Sequence, residues 1–365
     1  MTAGAETITG GPSGDTITGI VSSLNSEKTL DSADVIDGGD GIDTLQLEVK
    51  GNLTAITGSV SNVENVELTN ATTITRTIDT KNFSGVEKYT LDSAKGITLS
   101  NIAAPGIEVD YVGTQSNTTV GFASKATDGT TDAMSISLQD VGTAEVLKAD
   151  GVTQQTAAVS PKITMAGIED VTLSSTGTEN FVDLSAMDAK TLTVSGAAAL
   201  DVSAIKAGLT TLDASTMTAG LTIDLDNAAA TALKTIATGS GDDKITADAQ
   251  DIIANATVTG GAGADTLTLT DGGTSTLQLA MSGVETVAMS NTTKTIFSAT
   301  NVADLTTLQI NAAGSAVTEV VNLGAADIVL SQVGAIAAGQ DVALDNSGNV
   351  NVNLKSGYTF STTFM

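Results

Sequence analysis

The 365-residue sequence contains no cysteine and no histidine. Their absence removes disulfides, thiol nucleophiles, tetrahedral zinc sites, imidazole ligation of haem and every histidine general base. Most common enzyme chemistries go with them, and catalysis is not expected. Tryptophan is missing too, and six Phe with three Tyr are the only aromatic residues. Flat aromatic platforms for sugars are therefore scarce, and any core has to be aliphatic. Basic residues are few: 15 Lys and Arg, with Arg76 the only arginine, stand against 42 Asp and Glu, a net charge of −27. A polyanion without a basic face is not expected to bind nucleic acid. No run of apolar residues approaches the roughly 18 needed to cross a bilayer, so no membrane span is expected. The opening MTAGAETITGGPS has neither the basic nor the apolar region of a cleavable secretion signal. That leaves a cytosolic protein, another route of export, or a missing native start.

What is abundant is aliphatic residues, glycine and threonine. Hydrophobic residues make up 41% of the chain, which argues against disorder. Short apolar dyads recur at a regular spacing, beginning at Leu267, Val287 and Leu308 and, further upstream, at Val171, Leu192 and Leu212. The steps are about 21 residues, with a second set of dyads near the midpoints. The dyads alternate with Thr, Asp and Ser at period two, which is the pattern of half-buried strands and not of helices. Short strands at constant spacing, without two-residue hairpin signals, predict an all-β chain folded as a parallel β-solenoid, β-helix-like or β-roll-like, with coils of about 21 residues. A pair of β-sandwiches is the alternative, since turn signals every 8 to 12 residues or so suit that fold too. The spacing blurs between Tyr111 and Pro161. The expected organisation is an N-terminal solenoid segment over 1–110, an irregular insertion or junction over 111–161, and a C-terminal solenoid over 162–365.

Two motifs sit on this repeat. The first is a small residue, an aliphatic and a glutamate placed before a strand: Asn62-Val63-Glu64, Gly85-Val86-Glu87, Gly167-Ile168-Glu169 and Gly283-Val284-Glu285. The glutamates could form a row of ligands or simply close one coil before the next strand; the second reading is favoured. The second motif is a glycine-aspartate nonapeptide of the form G-G-x-G-x-D-x-U-x, where U is aliphatic. Gly38-Gly39-Asp40-Gly41-Ile42-Asp43 followed by Thr44-Leu45 matches it fully, as does Gly260-Gly261-Ala262-Gly263-Ala264-Asp265 followed by Thr266-Leu267. Thr238-Gly239-Ser240-Gly241-Asp242-Asp243 differs at its first position, and Gly10 to Asp15 is a weaker copy.

The chemistry of such a loop is that of a hard cation. Glycine turns let carbonyl oxygens face inward, while aspartate supplies an anionic oxygen. Ca²⁺ takes six to eight oxygens, so one loop is about half a site and a stacked neighbour has to complete it. The candidate calcium ligands are Asp34, Asp37, Gly39, Asp40, Gly41 and Asp43 in the first cluster. In the second they are Gly239, Gly241, Asp242, Asp243, Asp248, Gly261, Gly263 and Asp265.

At these loops the sequence resembles the RTX (repeats-in-toxin) calcium-binding β-rolls, over about a tenth of the chain. A full loop followed some twenty residues later by the glutamate motif occurs twice, from Asp43 to Glu64 and from Asp265 to Glu285. With the Thr, Ala and Gly bias, this pairing looks most like the RTX-related surface-layer proteins of Gram-negative bacteria. The resemblance implies export by a type I secretion system, location outside the cell or on its surface, and calcium-dependent self-assembly. It also admits a cell-surface polysaccharide as a second partner. The run from Tyr358 to Met365 could serve as the C-terminal export signal, or as a last strand. An adhesin or carbohydrate-binding module of a larger secreted protein is the alternative function.

Overall fold

The computed structural model describes all residues except 55–56, 149–153, 227–232, 271–275, 291–294, 311–317, 325–327, 333–341, 347–349, 354–361 and 365. Among the described residues there is no helix, and hence none long and apolar enough to cross a membrane. The chain is a parallel β-solenoid. It divides into two compact units, Met1–Ala189 and Lys190–Met365.

In the first unit, one sheet runs from Thr16–Val21 through Thr44–Val49, Asn65–Asn70, Lys88–Asp92, Glu108–Val112 and Ala133–Gln139 to Asp170–Thr176. Each strand pairs in parallel with its counterpart in the next coil. A second parallel sheet is built from the strands between them, from Arg76–Asp79 to Glu179–Met187. Near the N-terminus its place is taken by a short sheet of Thr7–Thr9, Val35–Asp37 and Ser59–Ser61. Parallel in-register pairing is what excludes the sandwich, whose neighbouring strands run antiparallel.

The alternating pattern explains the packing. In Thr44–Val49 the residues Leu45, Leu47 and Val49 are buried while the residues between them face outward. Register then stacks like on like: Leu45 lies over Val66 and Tyr89, and Leu47 over Leu68 and Leu91. Each such aliphatic side chain contributes about 1.5–3 kcal/mol by leaving water. The second unit repeats the design, with Ile245, Leu267, Val287 and Leu308 forming one buried column.

Three local features depart from simple repetition. The outer edge of Thr16–Val21 is met at Ile20 by the segment that follows it. The Ile20 carbonyl accepts the N–H groups of Thr29 and Leu30, both at 3.0 Å, and the Ile20 N–H donates to Thr29 Oγ1 at 2.8 Å. Pairing the backbone groups of Ile20 locally in this way shortens the edge open to other chains. Within 111–161, strands Thr118–Phe122 and Ala133–Gln139 belong to the coils, whereas Val146–Leu147 and Gln154–Thr156 pair as an antiparallel hairpin. The buried Asn180 anchors the base of that excursion, accepting the Val141 N–H at 2.9 Å and donating to Ser175 Oγ and the Thr176 carbonyl. Of the C-terminal run, Thr362–Phe364 forms a strand on Val342–Asn346, and the rest lies outside the described residues.

Candidate metal loops and the carboxylate columns

The glycine-aspartate loops are the corners that carry the chain from one sheet to the next. Gly38 to Asp43 joins Val35–Asp37 to Thr44–Val49, and Gly260 to Asp265 joins Ile252–Thr259 to Thr266–Leu269. They stack on loops of the same kind. The Asp40 N–H donates to the Gly11 carbonyl at 3.1 Å, and the Ala262 N–H to the Gly239 carbonyl at 2.9 Å. The motif's glycines are what allow this approach. Gly39 and Gly261 have φ of +97° and +96°, and a Cβ on either would run into the backbone of the loop beneath.

The recurring geometry lies at the last residue of each loop. Register places Asp15, Asp43 and Glu64 on successive coils, each one residue ahead of its strand. Asp43 Oδ1 accepts the Asp15 N–H at 2.6 Å, and Glu64 Oε2 accepts the Asp43 N–H at 2.7 Å. The second unit builds the same column. Asp243 Oδ1 accepts from Leu221 at 2.7 Å, Asp265 Oδ1 from Asp243 at 2.9 Å, and Glu285 Oε2 from Asp265 at 2.8 Å. The coil steps along the two columns are 28 and 21, then 22, 22 and 20 residues. Each carboxylate thus closes the coil before it through a charge-assisted bond to a backbone donor.

The other candidate ligands fall in different surroundings. Asp34 is buried, with Oδ1 accepting the Glu6 N–H and Oδ2 the Asp31 N–H. Asp37 Oδ1 accepts from Gly39 and from the Asn62 amide. Asp40 and Asp242 are exposed, the latter accepting the Ala264 N–H at 2.9 Å. Gly41, Gly241 and Gly263 lie at the outer turn of their loops, where Gly41 stacks on Gly14, and Gly263 on Gly241. Asp248 is not brought to the loops: it follows the far end of strand Lys244–Ala247 and accepts the Gln250 N–H.

Among the described residues no three Asp or Glu side chains gather into a metal-ligating group. What the loops do present is a buried carboxylate oxygen without a hydrogen-bond partner, Oδ2 of Asp43, of Asp243 and of Asp265. A buried anionic oxygen with no donor is costly unless something compensates it. In kind, it suits a hard cation whose remaining oxygens come from carbonyls and water. Burial pushes the Asp265 carboxyl up to about 6, and the neighbouring charges of Asp243, Glu285 and Asp242 add to the rise while the Asp243 N–H opposes it. The Asp243 carboxyl is also raised, chiefly by burial, against the N–H of Leu221.

The sequence motif did not reveal why the glutamate repeat begins with a small residue. Asn62, Gly85, Gly167 and Gly283 all have positive φ, between 51° and 85°, so the position demands a residue that tolerates a left-handed corner. Comparisons of the chain with protein-family models, with curated proteins and with solved structures found no match.

Proposed function

We propose that the protein is a secreted structural protein whose glycine-aspartate loops bind calcium and which associates with copies of itself into a surface layer or extracellular filament. The observation that carries the calcium part is the buried, partnerless Oδ2 of Asp43 and of Asp265, in the two loops that match the nonapeptide fully, and of Asp243 in the loop that departs from it only at Thr238. Asp43 and Asp265 would supply the anionic oxygen and their loops the carbonyls; the ion would neutralise stacked carboxylates that otherwise repel one another. The net charge of −27 supports a calcium trigger, because repulsion opposes compaction until divalent ions reduce it. Loops of this kind in extracellular modules bind at roughly 10⁻⁴ to 10⁻³ M, which would leave them empty inside a cell and filled outside it.

The test is a calcium titration of EDTA-stripped protein followed by circular dichroism and light scattering together, with magnesium and high NaCl as controls. A cooperative gain of β signal with rising scattering, specific to calcium, is expected. A folded monomer indifferent to calcium sinks the proposal, and an equal response to NaCl reassigns the acidity to solubility in brine.

A further inference from the structure

The four copies of the glutamate motif do not behave alike. Glu64, Glu169 and Glu285 are half-buried, and each accepts the backbone N–H of an aspartate in the preceding coil: Asp43 at 2.7 Å, Asp132 at 3.1 Å and Asp265 at 2.8 Å. Each of those aspartates ends a glycine-containing corner loop, Gly38 to Asp43, Asp128 to Asp132 and Gly260 to Asp265. Glu87 is exposed, follows a glutamate coil instead of an aspartate coil, and meets Glu64 only through its backbone, donating its N–H to the Glu64 carbonyl at 2.9 Å. The carboxylate contact therefore tracks the loop in the coil before it, not the motif itself.

We infer that Glu64, Glu169 and Glu285 are positioning residues that cap the aspartate loop before them: Glu64 and Glu285 terminate stacks of such loops, and Glu169 caps the single loop that ends at Asp132. Inside a stack, the acceptor for a loop aspartate's N–H is the next aspartate's carboxylate, as Asp265 serves Asp243. Where the stack ends, the next corner is the shorter Gly-Val-Glu turn, and the extra methylene of glutamate supplies the reach. The glutamate takes the N–H and fixes the loop backbone. The aspartate's own Oδ2 is left without a partner at the last loop of each column, and also at Asp243 inside the second column, so this oxygen does not itself mark the end of a stack. For its effect on calcium this inference rests on the proposed function, and it predicts that the glutamate tunes affinity as an outer partner of the ligand and not as a ligand itself.

Three substitutions at Glu285 separate the roles. Glu285→Gln keeps an acceptor oxygen at full reach without charge, Glu285→Asp keeps the charge but shortens the reach, and Glu285→Ala removes both. Amide hydrogen exchange at Asp265, measured without calcium, should stay protected in the Gln variant and quicken at least about tenfold in Asp and Ala, since the net worth of such a bond to a charged group is about 1.5–3 kcal/mol. The calcium midpoint should stay within about twofold of wild type for Gln and rise about 10- to 100-fold for Asp and Ala. A Gln variant that loses affinity as Ala does makes Glu285 a ligand by its charge and overturns the inference, as does unchanged exchange at Asp265 in Ala. Should Ala not fold, the contrast of Gln with Asp decides. If wild type binds no calcium, the calcium reading falls and the exchange pattern alone decides the positioning role.

Discussion

The close stacking of the glycine-aspartate loops can be dissected with three glycines of the second unit. Gly208 has φ +118° and open space around it, so Gly208→Ala meets only backbone strain. Gly260 has an ordinary φ, but a Cβ there would overlap the Gly283 carbonyl oxygen and stand beside Asp265 Oδ2. Gly261 combines both, with φ +96° and the Gly239 carbonyl directly in the path of a Cβ. Left-handed strain costs about 1–2 kcal/mol, partly offset by about 0.4–1 kcal/mol from the stiffer unfolded chain. Gly208→Ala should therefore destabilise by about 0–1.6 kcal/mol. Forcing a methyl against backbone costs about 1–3 kcal/mol, which after the same offset leaves about 0–2.6 kcal/mol for Gly260→Ala. In Gly261→Ala the two add, and the bond from the Ala262 N–H to Gly239 is endangered for about 1 kcal/mol more, giving about 2–5 kcal/mol. Urea denaturation followed by circular dichroism gives the three differences. If Gly261→Ala costs no more than Gly208→Ala, the loops do not stack as closely as described and the explanation of the motif's glycines is refuted.

Asp265 holds its proton more tightly in the folded than in the unfolded chain, because its carboxyl is pushed up to about 6. Stability should rise as pH falls from about 7 through about 6 and level off below about 4, where the unfolded chain is protonated as well. Urea midpoints against pH should lose that component in Asp265→Asn, and identical profiles would falsify it. Asn180→Ala strands the Val141 N–H in the interior, with an expected loss of about 1–3 kcal/mol and faster amide exchange at Val141. A loss within experimental error would show that the hairpin base is held some other way. Leu267→Ala opens the column between Ile245 and Val287 and should cost about 2–5 kcal/mol. The outward neighbour Thr266→Ala should cost less than about 0.5–1 kcal/mol, and equal losses in thermal unfolding would contradict the assignment of faces.

Much of the architecture was legible in short stretches of chain. Alternation within strands such as Thr44–Val49 identifies the buried face, because side chains on a strand point to opposite sides. The spacing from Leu267 to Val287 to Leu308 announces a coil repeat, because every coil has to return its apolar dyad to the same interior. Glycines at the corner loops were visible as turn residues, but the reason for them was not, since the obstacle to a side chain at Gly261 is the carbonyl of Gly239 in the neighbouring coil.

The carboxylate columns could not be read in the same way. Asp43 ends a six-residue corner and Glu64 a three-residue one, so no sequence spacing equates them. They become equivalent only when Thr44 pairs with Asn65. The hairpin between Thr143 and Val159 likewise stretches the step from Asp132 to Glu169 to 37 residues and hides a contact made elsewhere at 21 and 20. Strand periodicity is imposed by local stereochemistry and burial, and it survives in the order of residues. Register between coils is set by the whole interior packing at once, and corners of different length absorb the mismatch, so which carboxylate meets which backbone donor emerges only once the coils are stacked.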